Sequence, residues 1–518
     1  MTESVLSVVD VTGIQNYIFG SNRLREQIGA SFLVKQATDN WVKDACKNAG
    51  AVLICSGGGN AVFQSEARQQ ALNVITALSE RLLKEAPGLE IAAAHQAYDH
   101  GNDTIGGSHG IYHQLFRDLA IRKRARIPSN PSGGLAVTLE CNSTGAPAVG
   151  FARSFDPTDP EDGRIVSAEV GAKLGVFRAA NEQVRDLLKH SGAEVYQLSN
   201  DFDNLGRSTG DQSYIAVVHA DANGMGQRFQ RLVEQFTAPS ENDACLAAIK
   251  ALSEAVEQAG QTALKNTVTR MLTALTSPNA HPLLEPFADL EYLPFRPLVY
   301  GGDDTTFVCD GRLGLPLAAI YLEEFAIAAK SLPDGAGPAF ASAGVAIVKV
   351  HYPFARAYAL CEELCKSAKQ ALKGKKKAED RKGSALDWHI AQSGLAGSLA
   401  EIRQREYTVA DGNLSLRPIM VGSEQLIPSW RSWKHLTNAV HTLRDGADWC
   451  KRRNKLIGLR EVLREGGEKV AIYRKAFNLP ELPGNSTDLR EKGWAEGRCG
   501  VFDAIEALDL LLPLEKDM

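Results

Sequence analysis

The chain has 518 residues, 44% of them apolar and 23% charged, with a formal net charge of −5. That length gives room for about three or four domains of ordinary globular composition. The slight acidity neither points to nucleic acid nor excludes it, because a local basic face fits on a mildly acidic protein.

In chain order, "MTESVLSVVD" has no basic n-region and no long apolar core, so it is not expected to be a signal peptide. "SVLSVVDVTGIQNYIF" reads as a strand, a glycine turn and a helix that runs on through "RLREQIGASFLVKQATDNWV". "AVLICSGGGNAVFQ" is a strand–glycine–strand hairpin, "ARQQALNVITALSERLLKEA" an amphipathic helix and "LEIAAAHQAY" a closing strand. A connector over 106–205 follows. It holds a basic helix ("LFRDLAIRKRARI"), a turn-rich piece ("PSNPSGG"), a short strand ("GLAVTLECN"), an acidic loop ("RSFDPTDPEDGR") and a helix in "EVGAKLGVFRAANEQVRDLLKH".

The first order then returns over 213–350. "SYIAVVHADANGMGQRFQRLVEQF" gives strand, turn and helix, and a further long helix is inserted. "LVYGGDDTTFVC" supplies the hairpin, "LPLAAIYLEEFAIAAKSL" the helix and "AFASAGVAIVKV" the last strand. A β-α-β-β-α-β order used twice is the ferredoxin-like split pattern, an α+β architecture. "KGKKK" (373–377) reads as a charged linker into a helical C-terminal domain rich in tryptophan: Trp388, Trp430, Trp433, Trp449 and Trp494. The expected domains are 1–105, 106–205, 206–372 and 373–518.

No uncharged apolar run approaches the ~20 residues needed to span a bilayer, so a cytoplasmic chain with no membrane partner is expected. The nine cysteines form no secreted-type framework. Cys361 and Cys365 lack the further ligands of a zinc site and are expected as buried thiols.

Laid side by side, the copies set Asp10 opposite Asp221 and "SGGGN" (56–60) opposite "YGGDD" (300–304). Only the second copy therefore holds three carboxylates, Asp221, Asp303 and Asp304, at the ends of neighbouring strands. Clustered like charges call for a cation. Magnesium takes one or two protein carboxylates with phosphate oxygens and water, so three aspartates suit two such ions facing a triphosphate and a 3′-hydroxyl. Gly301 and Gly302 give a tight turn and close approach to a nucleotide. In "ANGMG", Asn223, Gly224 and Met225 lead into a helix N-terminus whose free N–H groups suit a phosphate. A solvated hairpin tip explains the tetrapeptide alone, but not the third aspartate in its repeat position.

At these residues the sequence resembles the large, polymerase-like subunit of type III CRISPR effector complexes. "DVTGIQNYIF" with "LREQIGAS" is similar to the start of that family's first palm domain. "DANGMG", "YGGDDTTFV" and "ASAGVAIVKVHYPFARAYALCEELCKSAK" are similar to successive pieces of its second, and "GSALDWHI" to the start of its C-terminal domain. The resemblance implies an Mg²⁺- or Mn²⁺-dependent nucleotidyltransferase that joins ATP into cyclic oligoadenylates, antiviral second messengers. It places the metals on Asp221, Asp303 and Asp304 with the Ala222 backbone nearby, and the triphosphate near Lys369. The first palm becomes a degenerate partner whose Gly57 and Gly58 contact a nucleotide. The family's histidine–aspartate nuclease and four-cysteine zinc site find no counterpart: there is no His-Asp dipeptide, and Cys141 stands alone, so no zinc is expected.

The implied partners are guide and target RNA with other subunits of such a complex, or further copies of the chain if it acts alone. "DWCKRRNKLIGLREVLREGGEKVAIYRKAF" and "RKRAR" (122–126) are basic stretches that suit a helical subunit, a nucleic-acid backbone or plain solvent. A cyclic dinucleotide synthase using another nucleotide, and a non-catalytic nucleotide- or RNA-binding scaffold, are the alternative functions.

Overall fold

The computed structural model describes residues 3–126, 134, 137–206, 213–372, 383–391, 397–422 and 430–514. The first palm opens with β1 (Glu3–Thr12), and Gly13, at φ 69°, turns the chain into α1 (Ile14–Phe19). α2 (Leu24–Thr38) and α3 (Asn40–Ala49) follow. The single helix expected here is broken at 20–23 and at Asp39, whose φ −100° and ψ −85° are not helical. β2 (Val52–Gly57) and β3 (Asn60–Ser65) form the hairpin, and α4 (Arg68–Glu85) leads to β4 (Glu90–Asp99). The sheet order is β2-β3-β1-β4, with β1 antiparallel to both neighbours.

In the connector, α5 (Ile111–Ala125) packs on β4 and β1. β5 (Ala148–Phe151) and β6 (Ile165–Ser167) form a small ribbon, followed by α6 (Ala168–Gly175), α7 (Phe177–Leu187) and the one-turn α8 (Asp203–Gly206). The strand expected in "GLAVTLECN" is replaced, over its described residues, by one isolated bridge between Glu140 and Pro147. The Asn-Ser-Thr-Gly tract closes a turn there, Gly145 N–H donating to the Cys141 carbonyl at 2.9 Å. The helix expected from 169 to 190 is two, parted at Val176 (φ −99°, ψ 1°). Apart from Gly134, "PSNPSGG" lies outside the described residues, as does "KGKKK".

The second palm runs β7 (Tyr214–Ala222), α9 (Met225–Glu234), α10 (Asn242–Leu275), β8 (Phe295–Gly301), β9 (Asp304–Asp310), α11 (Gly314–Ala328), β10 (Ala341–Lys349) and α12 (Phe354–Ala371). Its order β8-β9-β7-β10 repeats the first sheet strand for strand. β11 (Ser384–Ile390) then adds parallel to β10. After α13 (Leu399–Tyr407), β12 (Thr408–Val409) and β13 (Gly412–Asn413), β14 (Ile419–Val421) closes the sheet beyond β11.

Residue 373 is therefore no boundary in the sheet. All of β11 is buried, Trp388 included, and one core joins the palm to the last helices. These are α14 (Trp433–Asp445), α15 (Arg453–Arg464), α16 (Gly467–Ala476), α17 (Thr487–Lys492) and α18 (Phe502–Glu506). β15 (Trp494–Ala495) and β16 (Arg498–Cys499) complete a small sheet with β12 and β13, so this region is not purely helical. No described helix is long and apolar enough to cross a membrane. Cys361 and Cys365 are buried free thiols, donating to the Val217, Gly344 and Ser342 carbonyls.

The two palms pack directly on each other. Phe19 stacks on Tyr358 at 4.0 Å, Phe354 N–H donates to Asn22 Oδ1 at 2.8 Å, and one core cluster spans both units.

Candidate active site between the two palms

The register of the second sheet brings the three aspartates together. Asp221 pairs with Asp304 across β7 and β9, and Ala222 N–H donates to the Asp303 carbonyl at 2.9 Å. The first palm repeats this backbone geometry: Asp10 pairs with Asn60, and Val11 N–H donates to the Gly59 carbonyl at 2.8 Å. The hairpins meet tip to tip. A Cβ on Gly302 would stand 3.3 Å from Gly58 N, and both glycines hold positive φ (71° and 58°), so a side chain at either tip would strain the backbone and one at Gly302 would also crowd the facing hairpin.

Two clefts flank the touching hairpins. One, of about 380 Å³, is lined by Asp221, Asp303, Asp304 and Gly57–Gly59, and by Lys35 of α2. The other, of about 300 Å³, is more apolar, with Tyr112, Phe116, Met225 and Phe229 around Gly58, Gly302 and Asp303.

The carboxylates do meet cations. Lys369 Nζ lies 2.5 Å from Asp221 Oδ2 and donates to the Ala222 carbonyl at 3.1 Å. In the first palm, Lys123 Nζ lies 2.5 Å from Asp10 Oδ2. The helices carrying these lysines follow the last strand of the repeat in each palm, and Tyr112 and Tyr358 each stand eleven residues before their lysine (123 − 112 and 369 − 358). His219 Nδ1 is 3.2 Å from both Asp304 Oδ1 and Thr306 Oγ1. Burial alone would push that ring's pKa down, but the Asp304 carboxylate holds it above the ordinary histidine value. Burial, then the charges of Asp221 and Asp304, push the Asp303 carboxyl up to about 6.

The donor set fits a divalent ion of the magnesium type. Asp304 Oδ1 is buried and makes no hydrogen bond beyond its ion-pair contact with the His219 ring, and burial with the neighbouring carboxylates raises the Asp303 carboxyl. Among the described residues no three acidic, histidine or cysteine side chains already close on one point. Magnesium needs no preformed cage of that kind, because phosphate oxygens and water complete its shell.

The other expected site residues are placed as follows. Gly301 and Gly302 form the hairpin, and Gly57 and Gly58 form the facing one. Gly224, at φ 70°, caps α9, and Met225 is its first residue, buried in the apolar cleft. Asn223 is spent internally: its amide donates to the Gly383 carbonyl at 3.2 Å and accepts from Ser342 Oγ at 2.9 Å.

Residues 214–378 match the sequence profile of Cas10/Cmr2, second palm domain. This segment is similar to a Cas10/Cmr2 second palm domain. No curated protein matches the sequence significantly. Among solved structures, the Csm1–Csm4 cassette in complex with cA4 is similar in fold, with a TM-score of 0.55 at 14% identity, covering 98% of this chain and 69% of that one. The same cassette in complex with one ATP gives 0.52 at 15% identity, with coverages of 98% and 70%. Csm1 from T. onnurineus gives 0.52 at 13%, with the same coverages. The likeness carries the Csm1 arrangement over nearly the whole chain, and the resemblance to the type III large subunit rests on profile and fold together.

Around this Cas10-type palm the structure adds residues that sequence reading missed. Lys123 is one of five residues in a basic run and has no local signature of its own. The strand–helix order that aligns Asp10 with Asp221 also aligns the helices behind them, and that signal was available. His219 is visible only through the β7–β9 register, two residues before Asp221 on the same face. Lys35 and Glu257, from different palms, approach to 2.9 Å, a contact no sequence pattern announces.

Proposed function

We propose that the chain is a nucleotidyltransferase that joins ATP through 3′–5′ linkages into cyclic oligoadenylates, with the second palm as its catalytic half. The observation that carries this reading is the convergence of Asp221, Asp303 and Asp304 at a cleft walled on its far side by the other palm. In each step a 3′-hydroxyl oxygen bonds to the α-phosphorus of a second ATP, the bond to the pyrophosphate oxygen breaks, and pyrophosphate leaves. The same exchange between the two ends of one oligomer closes the ring.

Asp221, Asp303 and Asp304 would hold Mg²⁺ or Mn²⁺, which supplies charge neutralisation of the triphosphate and a more acidic 3′-hydroxyl. Gly301 and Gly302 let the triphosphate approach the hairpin backbone, while Met225 and Gly226, at the N-terminus of α9, line the second, more apolar cleft beside Gly302. Gly57 and Gly58 bound the second nucleotide's place without a carboxylate, so only one palm does chemistry. His219 keeps Asp304 oriented. The Csm1–Csm4 cassettes with cA4 and with one ATP support ATP as substrate and a cyclic oligoadenylate as product. Their pairing of Csm1 with Csm4 supports another type III subunit as a partner, and guide and target RNA are proposed from the sequence resemblance alone.

The test is incubation of the purified chain with each nucleoside triphosphate and Mg²⁺ or Mn²⁺, with and without RNA, the products being read by mass spectrometry. Cyclic oligoadenylate from ATP alone supports the reading. A cyclic dinucleotide from another triphosphate would replace it. Nucleotide binding with no product in any condition would leave a scaffold.

A further inference from the structure

The carboxylate cleft also contains a cation, and that cation belongs to the other palm. Lys35 is the one lysine or arginine lining this cleft among the described residues, and it shares the cleft with Asp221, Asp303 and Asp304. Its ammonium makes two ion pairs, with Asp39 Oδ2 at 3.1 Å and Glu257 Oε1 at 2.9 Å, and Glu257 is itself fixed by Gln261 Nε2 at 3.0 Å. A lysine has three N–H donors, so one remains for a ligand. The side chain is 24% exposed, fixed yet open to the cleft.

The helix that carries Lys35 is fastened to the strand that carries the hairpin. Ser31 Oγ, one turn earlier on α2, donates to the Leu298 carbonyl of β8. Lys35 Nζ also lies 3.5 Å from where a Cβ on Gly301 would stand, so the glycine lets the ammonium overhang the hairpin backbone. The second palm's own lysine, Lys369, stands instead at Asp221 and the Ala222 carbonyl.

We infer that Lys35 contacts the phosphates of a nucleoside triphosphate held on the second palm's aspartates, so that the degenerate palm supplies a charge to the catalytic one. This assignment rests on the proposed function. It distinguishes a ligand-binding ammonium from a plain tie between palms, because the two roles make Glu257 behave differently. If Lys35 only ties the palms, removing either partner has the same effect. If it meets phosphate, neutralising Glu257 releases the ammonium to the ligand.

The experiment measures calorimetric binding of α,β-methylene-ATP and of AMP, each with Mg²⁺, to the full chain and to Lys35→Ala, Lys35→Arg and Glu257→Gln. Thermal melts check that each variant is folded. Lys35→Ala is expected to weaken the triphosphate analogue roughly ten- to a hundredfold and AMP by no more than about twofold. Lys35→Arg is expected to restore most of that loss, and Glu257→Gln to weaken neither ligand. Equal loss of both ligands in Lys35→Ala would overturn the assignment, as would unchanged triphosphate binding or a matching loss in Glu257→Gln. Wild type that binds no triphosphate would remove the proposed function itself, a result distinct from a Lys35 effect of zero.

Discussion

Lys369 stands 2.5 Å from Asp221, where a divalent ion would otherwise compensate the carboxylate. The first palm pairs Lys123 with Asp10 in the same way, so both halves keep the acid–lysine contact and only one keeps the hairpin aspartates. A divalent ion and the Lys369 ammonium would therefore compete for Asp221 Oδ2.

Competition follows from that contact. Lys369→Met is expected to bind Mn²⁺ several-fold tighter than wild type without nucleotide, and α,β-methylene-ATP roughly tenfold more weakly. Electron paramagnetic resonance titration of free Mn²⁺ measures the first, and calorimetry the second. Unchanged Mn²⁺ affinity would mean that Lys369 does not guard the site.

The raised Asp303 carboxyl sets a pH dependence for the metal-free protein. Its pKa is about 6 in the fold against 3.8 as the ordinary value, so the folded state holds the proton more tightly. The favourable contribution is full below about pH 4 and is lost as pH rises through about 6. Asp303→Asn removes that loss and is expected to raise stability at pH 7 by on the order of 1–2 kcal/mol without metal. Denaturant melts at pH 4.5 and 7 decide it: the gain must be larger at pH 7.

The hairpin contact leaves no slack. A Cβ on Gly260 of α10 would lie 2.7 Å from the Gly302 carbonyl oxygen, backbone against backbone. Gly260→Ala is expected to push the hairpin aside, costing about 1–3 kcal/mol and most of the activity with the aspartates intact. A variant with normal turnover would show that the hairpin position is not critical.

Behind the palm, Arg417 is buried between Trp388 and Tyr407 and pairs with Asp503 and Glu506, each at 3.2 Å. Arg417→Met leaves Asp503 buried without its cation, and a loss of roughly 3–5 kcal/mol is expected in denaturant melts. A change below about 1 kcal/mol would mean that the network does not hold β11 to the final helices.

Much of the palm architecture was legible because both copies write it in local patterns: alternating strands, glycine turns and amphipathic helices in one order. The three aspartates were legible because that order fixes which strand ends are neighbours. β11 was not. "SALDWHI" is apolar enough for a strand or a buried helix, and only its parallel pairing with β10 decides the matter. Lys369 was placed near a nucleotide, but its closure on Asp221 depends on the direction of α12 over the sheet. Lys35 and Glu257 are separated by most of the first palm and the connector, and their contact exists only because two domains pack.

The most direct measurement is pyrophosphate release from ATP with Mg²⁺ by wild type, Asp10→Ala and the Asp303→Ala/Asp304→Ala double variant, under the conditions that give wild-type product. The double variant is expected to lose at least about a hundredfold in rate, the scale of removing electrostatic stabilisation at a reacting centre. Asp10→Ala, in the palm without hairpin carboxylates, is expected to stay within about tenfold of wild type, given the modest worth of one ion pair. A double variant as active as wild type would contradict the account, and so would loss of activity in Asp10→Ala as deep as in the double variant.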